Sequence, residues 1–142
     1  MKSRFFVVLA VAVIGAALAL PLAAQSLVLT ANVPFEFNLA GKVMPAGEYQ
    51  FQMDAGSAVL RVRNFDADAS AISLGVPASD SWRRTNGAKI TFNRYGDTYF
   101  LSTVVNGYSG AGFEAPISKS ERELARTASA QKYEILGVLA RL

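Results

Sequence analysis

Beyond residue 26 the apolar residues recur mostly at every second position, the spacing of strands with one buried face. In "SLVLTANV" (Ser26 to Val33) the chain reads as a strand, and Pro34 interrupts it before "FEFNL", where Phe35, Phe37 and Leu39 alternate with Glu36 and Asn38. "AGK" and "PAG" are turn material, with Val43-Met44 a short segment between them. "EYQFQM" sets Tyr49, Phe51 and Met53 on one face and Glu48, Gln50 and Gln52 on the other. "AVLRVRNF" repeats the pattern, with Leu60 and Val62 opposite Arg61 and Arg63. After the loop "DADAS", "AISLGV" (Ala71 to Val76) reads as a further strand, and Pro77 to Ala88 as a polar loop. Strands at about ten-residue spacing with turn signals between them predict an antiparallel β-sandwich or small barrel.

"ITFNRYGDTYFLSTVV" (Ile90 to Val105) predicts a hairpin about Gly96-Asp97, a type II′ turn in which glycine supplies the positive φ of the first central position. The turn pairs Tyr95 with Thr98, Arg94 with Tyr99, Asn93 with Phe100, Phe92 with Leu101 and Ile90 with Thr103. Ile90, Phe92, Tyr99, Leu101 and Val105 then share the core face. Arg94 lies on that face near the turn, its stem over Tyr99 and its head in water. A slip of one residue would turn Leu101 outward and Ser102 inward, so the apolar pattern selects this register.

The chain then changes character. "NGYSGAGFEAP" reads as a glycine-rich loop, and "SKSERELARTASA" as a short surface helix opened by a capping box of Ser120 and Glu123. Glu121 and Glu123 suit the positive N-terminus of that helix and Arg126 its later turns. Its apolar stripe is thin: Leu124, Ala125 and Ala128. "KYEILGVL" returns to β-like composition, and Gly137 with the β-branched Ile135 and Val138 favours a final strand over a continued helix.

The first 26 residues follow a different pattern. Lys2 and Arg4 precede the uncharged run "FFVVLAVAVIGAALAL", Pro21 breaks it, and small residues follow. This is a signal peptide, with cleavage after Ala24 or Ser26, and the run is shorter than the ~20 residues needed to span hydrocarbon. Gln25 stands where a lipoprotein would carry cysteine. The expectation is a secreted or periplasmic protein: a signal peptide over 1–26, one domain over 27–142, and no stable membrane insertion after the signal is removed. Of the net charge of +3, two units leave with Lys2 and Arg4. With no basic run longer than Arg83-Arg84, the footprint of a nucleic-acid binder is missing.

The chain contains no cysteine and no histidine. Disulfides, Cys/His zinc sites, His-ligated haem or copper, thiol nucleophiles and Ser-His-Asp triads therefore fall away within it. The remaining motifs are incomplete. "NFDADAS" alternates oxygen-bearing side chains at Asn64, Asp66, Asp68 and Ser70, but an EF-hand counted from Asp66 has Ala71 in place of glycine and Pro77 in place of glutamate. "SAQK" (Ser129 to Lys132) has S-x-x-K spacing without its partner motifs, and "GYSGAG" carries Ala111 where a nucleophile elbow needs glycine. The carboxylates Glu36, Glu48, Glu114 and Asp97 are the residues left for acid–base work. Alternation sends Glu36 and Glu48 to solvent, where a carboxylate is a poor general acid. The expectation is a chain with no enzyme activity, no catalytic residues, no cofactor and no metal.

Three blocks, "VPFEFNLAGKVMPAGEYQF", "ITFNRYGDTYFLS" and "APISKSERELA", resemble a group of small uncharacterised secreted proteins of acidobacterial soil bacteria. The resemblance spans most of the mature chain and rests on the spacing of the blocks. In that group a histidine often stands at the position of Asn93 and a tryptophan at that of Val105, so any role those residues have is absent here. The resemblance brings no established activity, substrate or site residue.

The feature that suggests a partner is "DSWRRTNG", where Trp82, Arg83 and Arg84 sit together in a loop without strand pattern, the composition of an interface anchor. Trp82 folded back as a plug for an open end of the core is the structural alternative. The sequence therefore predicts an exported, non-enzymatic β-domain that serves as a structural module or binds a protein or polymer of the cell envelope. The alternative is a carrier of a small molecule or lipid in an apolar barrel cavity, which needs more inward apolar positions than a chain of this length can spare from its core.

Overall fold

The computed structural model describes residues 26–54, 57–78 and 86–139. Residues 1–25 of the signal-peptide reading, and the contact residues Trp82, Arg83 and Arg84, lie outside them. The described chain is mainly β, with one short helix near the C-terminus. Its strands are β1 (Ser26–Val33), β2 (Phe37–Leu39), β3 (Lys42–Met44), β4 (Gly47–Asp54), β5 (Val59–Asn64) and β6 (Ser70–Leu74), followed by β7 (Val76–Pro77), β8 (Ala88–Tyr95), β9 (Thr98–Asn106) and β10 (Ala111–Glu114). Helix α1 (Lys119–Ala125) and β11 (Gln131–Leu139) complete it.

Alternation builds these strands as the sequence predicts. Tyr49, Phe51 and Met53 of β4 and Leu60 and Val62 of β5 are buried, while Arg61 and Arg63 point outward. Residues 131–139 form a strand, which pairs with β8 on one side and with β1 on the other. Hydrogen bonding runs β3-β2-β9-β8-β11-β1-β4-β5-β6, and the two flanks of this order approach each other through β10, which pairs with both β9 and β7. Because β7 follows β6 after a single residue, the sheet is a nearly closed barrel rather than two separate layers.

That single residue is Gly75. A Cβ placed on it would lie 2.2 Å from the Glu114 carbonyl oxygen and 2.6 Å from the Phe113 ring, while its N–H donates to the Ala58 carbonyl at 2.8 Å. Closure thus depends on a backbone that passes the neighbouring strand without a side chain. On the far side, β9 divides its free edge between two partners. Its start pairs in parallel with β2 at Tyr99 and Phe100, and its end pairs antiparallel with β10 from Thr103 to Asn106.

The switch between partners comes from a bulge that the sequence reading missed. Tyr95↔Thr98, Arg94↔Tyr99, Asn93↔Phe100 and Phe92↔Leu101 pair as predicted, but Thr91 then faces Thr103 and Ile90 faces Val104, leaving Ser102 as an extra residue. The expected pairing of Ile90 with Thr103 is therefore corrected. Val104, not Val105, joins the core cluster, and Val105 is buried beside Lys89 on the other face. A bulge bends its strand, and the Ser102 carbonyl at the bend accepts the Ala115 N–H at 2.8 Å.

Other boundaries differ from expectation. The stretch read as a glycine-rich loop contains β10, and the loop read from Pro77 to Ala88 gives its first residue to β7 and its last to β8. Gly96 has φ +60° and Asp97 does not share its sign, as a type II′ turn requires. Arg94 covers Tyr99 with its guanidinium, 5.4 Å from the ring centre, rather than with its stem as expected, and its Nε donates to the Gly96 carbonyl at 2.7 Å.

Gly75→Ala is expected to cost about 1–3 kcal/mol or more, since the added methyl meets backbone and a packed ring that cannot yield freely. Gly96→Val, with open space around its side chain, is expected to cost roughly 1–3 kcal/mol from backbone strain alone. Urea unfolding of both variants, with the exchange of β10 amides as a second readout, checks them: only Gly75→Ala should loosen β10.

Candidate functional site

The barrel interior is occupied by side chains. Phe37 meets Tyr49 and Phe92 edge-on, with ring centres 5.2 and 5.1 Å apart, and both of these, with Phe51, are fully buried. At one end Phe35 stacks on Tyr99 at 3.8 Å and meets Tyr133 edge-on, while Arg94 covers the same Tyr99 ring. Aromatic pairs in such geometries favour a rigid, filled core.

The most developed polar constellation lies on the outer face of β8, beneath α1. Pro116 and the extended backbone of Ser118 bring the chain into the helix, and the Ser118 hydroxyl accepts the Glu121 N–H at 3.2 Å. The N-cap is therefore Ser118, not Ser120. Glu121 is 3 % exposed, and its Oε1 accepts from Asn93 Nδ2 at 2.7 Å and from the Tyr95 hydroxyl at 3.3 Å. Asn93 Oδ1 in turn accepts from Lys132 Nζ at 2.5 Å, and Lys132 also reaches Ser102 Oγ at 3.4 Å. An amide polarised between a cation and a carboxylate makes strong, charge-assisted bonds. The expected stripe is corrected: Leu124 is only half-buried and Ala125 and Ala128 are exposed, so α1 is fastened by a carboxylate rather than by apolar side chains.

Burial is the main cause, and the Glu121 charge and hydrogen bond add to it, in holding the Tyr95 hydroxyl above the ordinary tyrosine value of 10.0. Beside Glu121 lies a cleft of about 20 Å³ bordered by Ser73, Ser118 and Ser120. A water molecule needs roughly 10–15 Å³ of such space, so the cleft has room for about one water. The arrangement joins helix, hairpin and final strand.

The other predicted positions stand apart. Glu36, Glu48, Glu114 and Asp97 are all exposed and belong to different elements, and among the described residues no group of three or more acidic side chains could hold a metal. In "NFDADAS", Asn64 Oδ1 accepts the N–H groups of Asp66 and Ala67 at 2.7 and 3.0 Å, and Asp66 Oδ2 accepts that of Glu48 at 3.1 Å. The Asn64 oxygen closes the loop on itself, and the Asp66 oxygen ties it to β4.

The roots of the Trp82 loop are fixed. Ala78 N–H donates to the Gly112 carbonyl of β10 at 3.0 Å, and the Gly87 carbonyl accepts the Gly107 N–H of the β9–β10 connection at 2.8 Å. On that connection Tyr108 is strongly exposed, and its hydroxyl lies near Gly87. Sequence reasoning passed over Tyr108, although an aromatic in a glycine-rich turn has no alternation to bury it.

Glu121→Ala would leave the Asn93 amide and Tyr95 hydroxyl unpaired, at an expected cost of about 1–3 kcal/mol, while Glu121→Gln keeps an acceptor and should cost less. Urea midpoints and amide exchange over 119–125 measure this. The raised Tyr95 value also has a sign. The fold favours the neutral hydroxyl, so its contribution is complete below pH 10 and is lost as pH rises through the folded-state value. Between pH 9 and 11 the wild-type protein should lose stability more steeply than Tyr95→Phe in urea titrations. Compared with known proteins, the chain matches no family model, no curated protein and no solved structure.

Proposed function

We propose that this chain is an exported, non-enzymatic β-domain that acts through its surface, as a structural module or by binding a protein or polymer of the cell envelope. The observation that carries the reading is the occupied barrel interior: Phe37, Tyr49, Phe51 and Phe92 fill the space in which a carrier would hold its ligand. Among the described residues no helix is long and apolar enough to cross a membrane. The buried Glu121 network supports the same view, since its acceptor is already committed to Asn93 and Tyr95. In this proposal Trp82, Arg83 and Arg84 make the contact, from a loop whose two roots are hydrogen-bonded to the barrel wall beside the exposed Tyr108. A segment anchored on both sides whose sequence holds an aromatic and two guanidinium groups suits partner recognition. The acidobacterial resemblance and export to the periplasm or medium belong to the same proposal.

Affinity capture from the native envelope, with wild-type protein and with Trp82→Ala, tests the proposal. One recurring partner, captured roughly tenfold less by the variant, is expected of a central aromatic anchor. Stoichiometric uptake of an apolar fluorescent probe into the barrel, unaffected by Trp82→Ala, would favour the carrier instead.

A further inference from the structure

The strand β6 is built inside out. Ala71 and Ser73 face the interior, while Ile72 and Leu74, and Val76 beyond Gly75, face solvent with 63 %, 71 % and 56 % of their surface exposed. A single exposed leucine is ordinary, but three bulky apolar residues in succession on one outward stripe, with small residues on the inner side, mark an interaction surface.

The charges around the stripe point to its occupant. Arg63 stands beside Ser70 at one end of the stripe, on β5, and Glu114 stands beside Val76 at the other, on β10. Both are exposed, and neither forms an ion pair with another described residue. Ile72 and Leu74 lie midway between them, with Arg61, already paired with Asp54, flanking Ile72 on the same face. Six residues of strand separate the two ends, on the order of 20 Å. A two-fold axis lying in the interface and passing through this midpoint carries Arg63 of one molecule onto Glu114 of the other, and sets the Ile72–Leu74 pairs against each other. The ion pair forms twice and the apolar centre closes on itself, which is the self-complementarity an isologous contact needs.

We propose that the protein forms a two-fold dimer through the outer face of β6 and β7, with Ile72 and Leu74 at its centre, Val76 towards its ends and Arg63–Glu114 pairs between molecules at its rim. The contact goes beyond the envelope-binding role and does not depend on the Trp82 loop.

Sedimentation velocity of the secreted protein over rising concentration tests it. A reversible monomer–dimer equilibrium is expected, weakened by salt because its rim is ionic. Leu74→Asp, at an exposed position, should leave the thermal melt of the dilute, monomeric protein unchanged and weaken association by roughly tenfold or more. Arg63→Glu and Glu114→Arg should each weaken it, and the double variant should restore it, an outcome no fold defect can imitate. A protein that stays monomeric up to about 1 mM, the weak end of measurable affinity, overturns the proposal. So does a dimer indifferent to Leu74→Asp, or a double exchange no better than its single variants. Capture of a different protein through Leu74 by a chain that remains monomeric would assign the face to that partner and equally refute the dimer.

Discussion

A β-barrel closes only if its last free edge finds a partner, and here the approach is made by a strand that must change neighbours partway along. β6 pairs with β5, β7 pairs with β10, and the change happens across Gly75, where the Glu114 carbonyl occupies the space a side chain would need. The same requirement acts on the opposite wall. β9 serves β2 and β10 in turn, and the bulge at Ser102 bends it between the two. Irregularity at these two places is what permits regular pairing elsewhere. Filling follows from closure, because a ring of this size is just wide enough for Phe37, Tyr49, Phe51 and Phe92 to meet across it.

The outer surface of β8 and β9 is unusual in being buried as well. Thr91, Asn93, Tyr95, Phe100, Thr103 and Val105 all lie there with little exposure. A polar surface of this kind is costly to cover unless its groups find partners, and Glu121 supplies one for Asn93 and Tyr95. Thr91 and Thr103, which face each other across the strands, keep hydroxyls without protein partners among the described residues. The helix therefore belongs to the fold more through hydrogen bonding than through hydrophobic contact, which fits its seven-residue length and sparse apolar content.

Much of this was legible in the sequence. Where one face is apolar and the other polar, as in "EYQFQM" and "AVLRVRN", period-two alternation fixes strand and face, and β4 and β5 follow it up to Val62, after which the polar Asn64 takes the inward position. The type II′ turn was legible because Gly96 alone can take its φ cheaply. The bulge was not, since "FLSTVV" places Val104 and Val105 side by side and either can face inward. Nor was the cap: "SKSERE" holds two overlapping S-x-x-E spacings, and only the contact of Glu121 with β8, distant in sequence, selects the first. The inverted faces of β6 are visible in "AISLGV" as alternation, but alternation does not say which set is inside when the inner space is taken by rings from other strands. The candidate contact loop was named from composition alone, and the structure adds where its roots are held.

One pairing has a bearing on how the chain reaches this state. β1, the first strand, lies between β4 and β11, the last strand, and β11 also borders β8. A chain made from its N-terminus can form the β1–β4–β5–β6 meander and the β8–β9 hairpin early, yet it has two halves with unsatisfied edges until residues 131–139 arrive. Contacts of such long sequence separation are slow to form. The final strand thus acts as a kinetic checkpoint: a molecule cut short or stalled before it presents two bare strand edges, the surfaces on which misassembly begins.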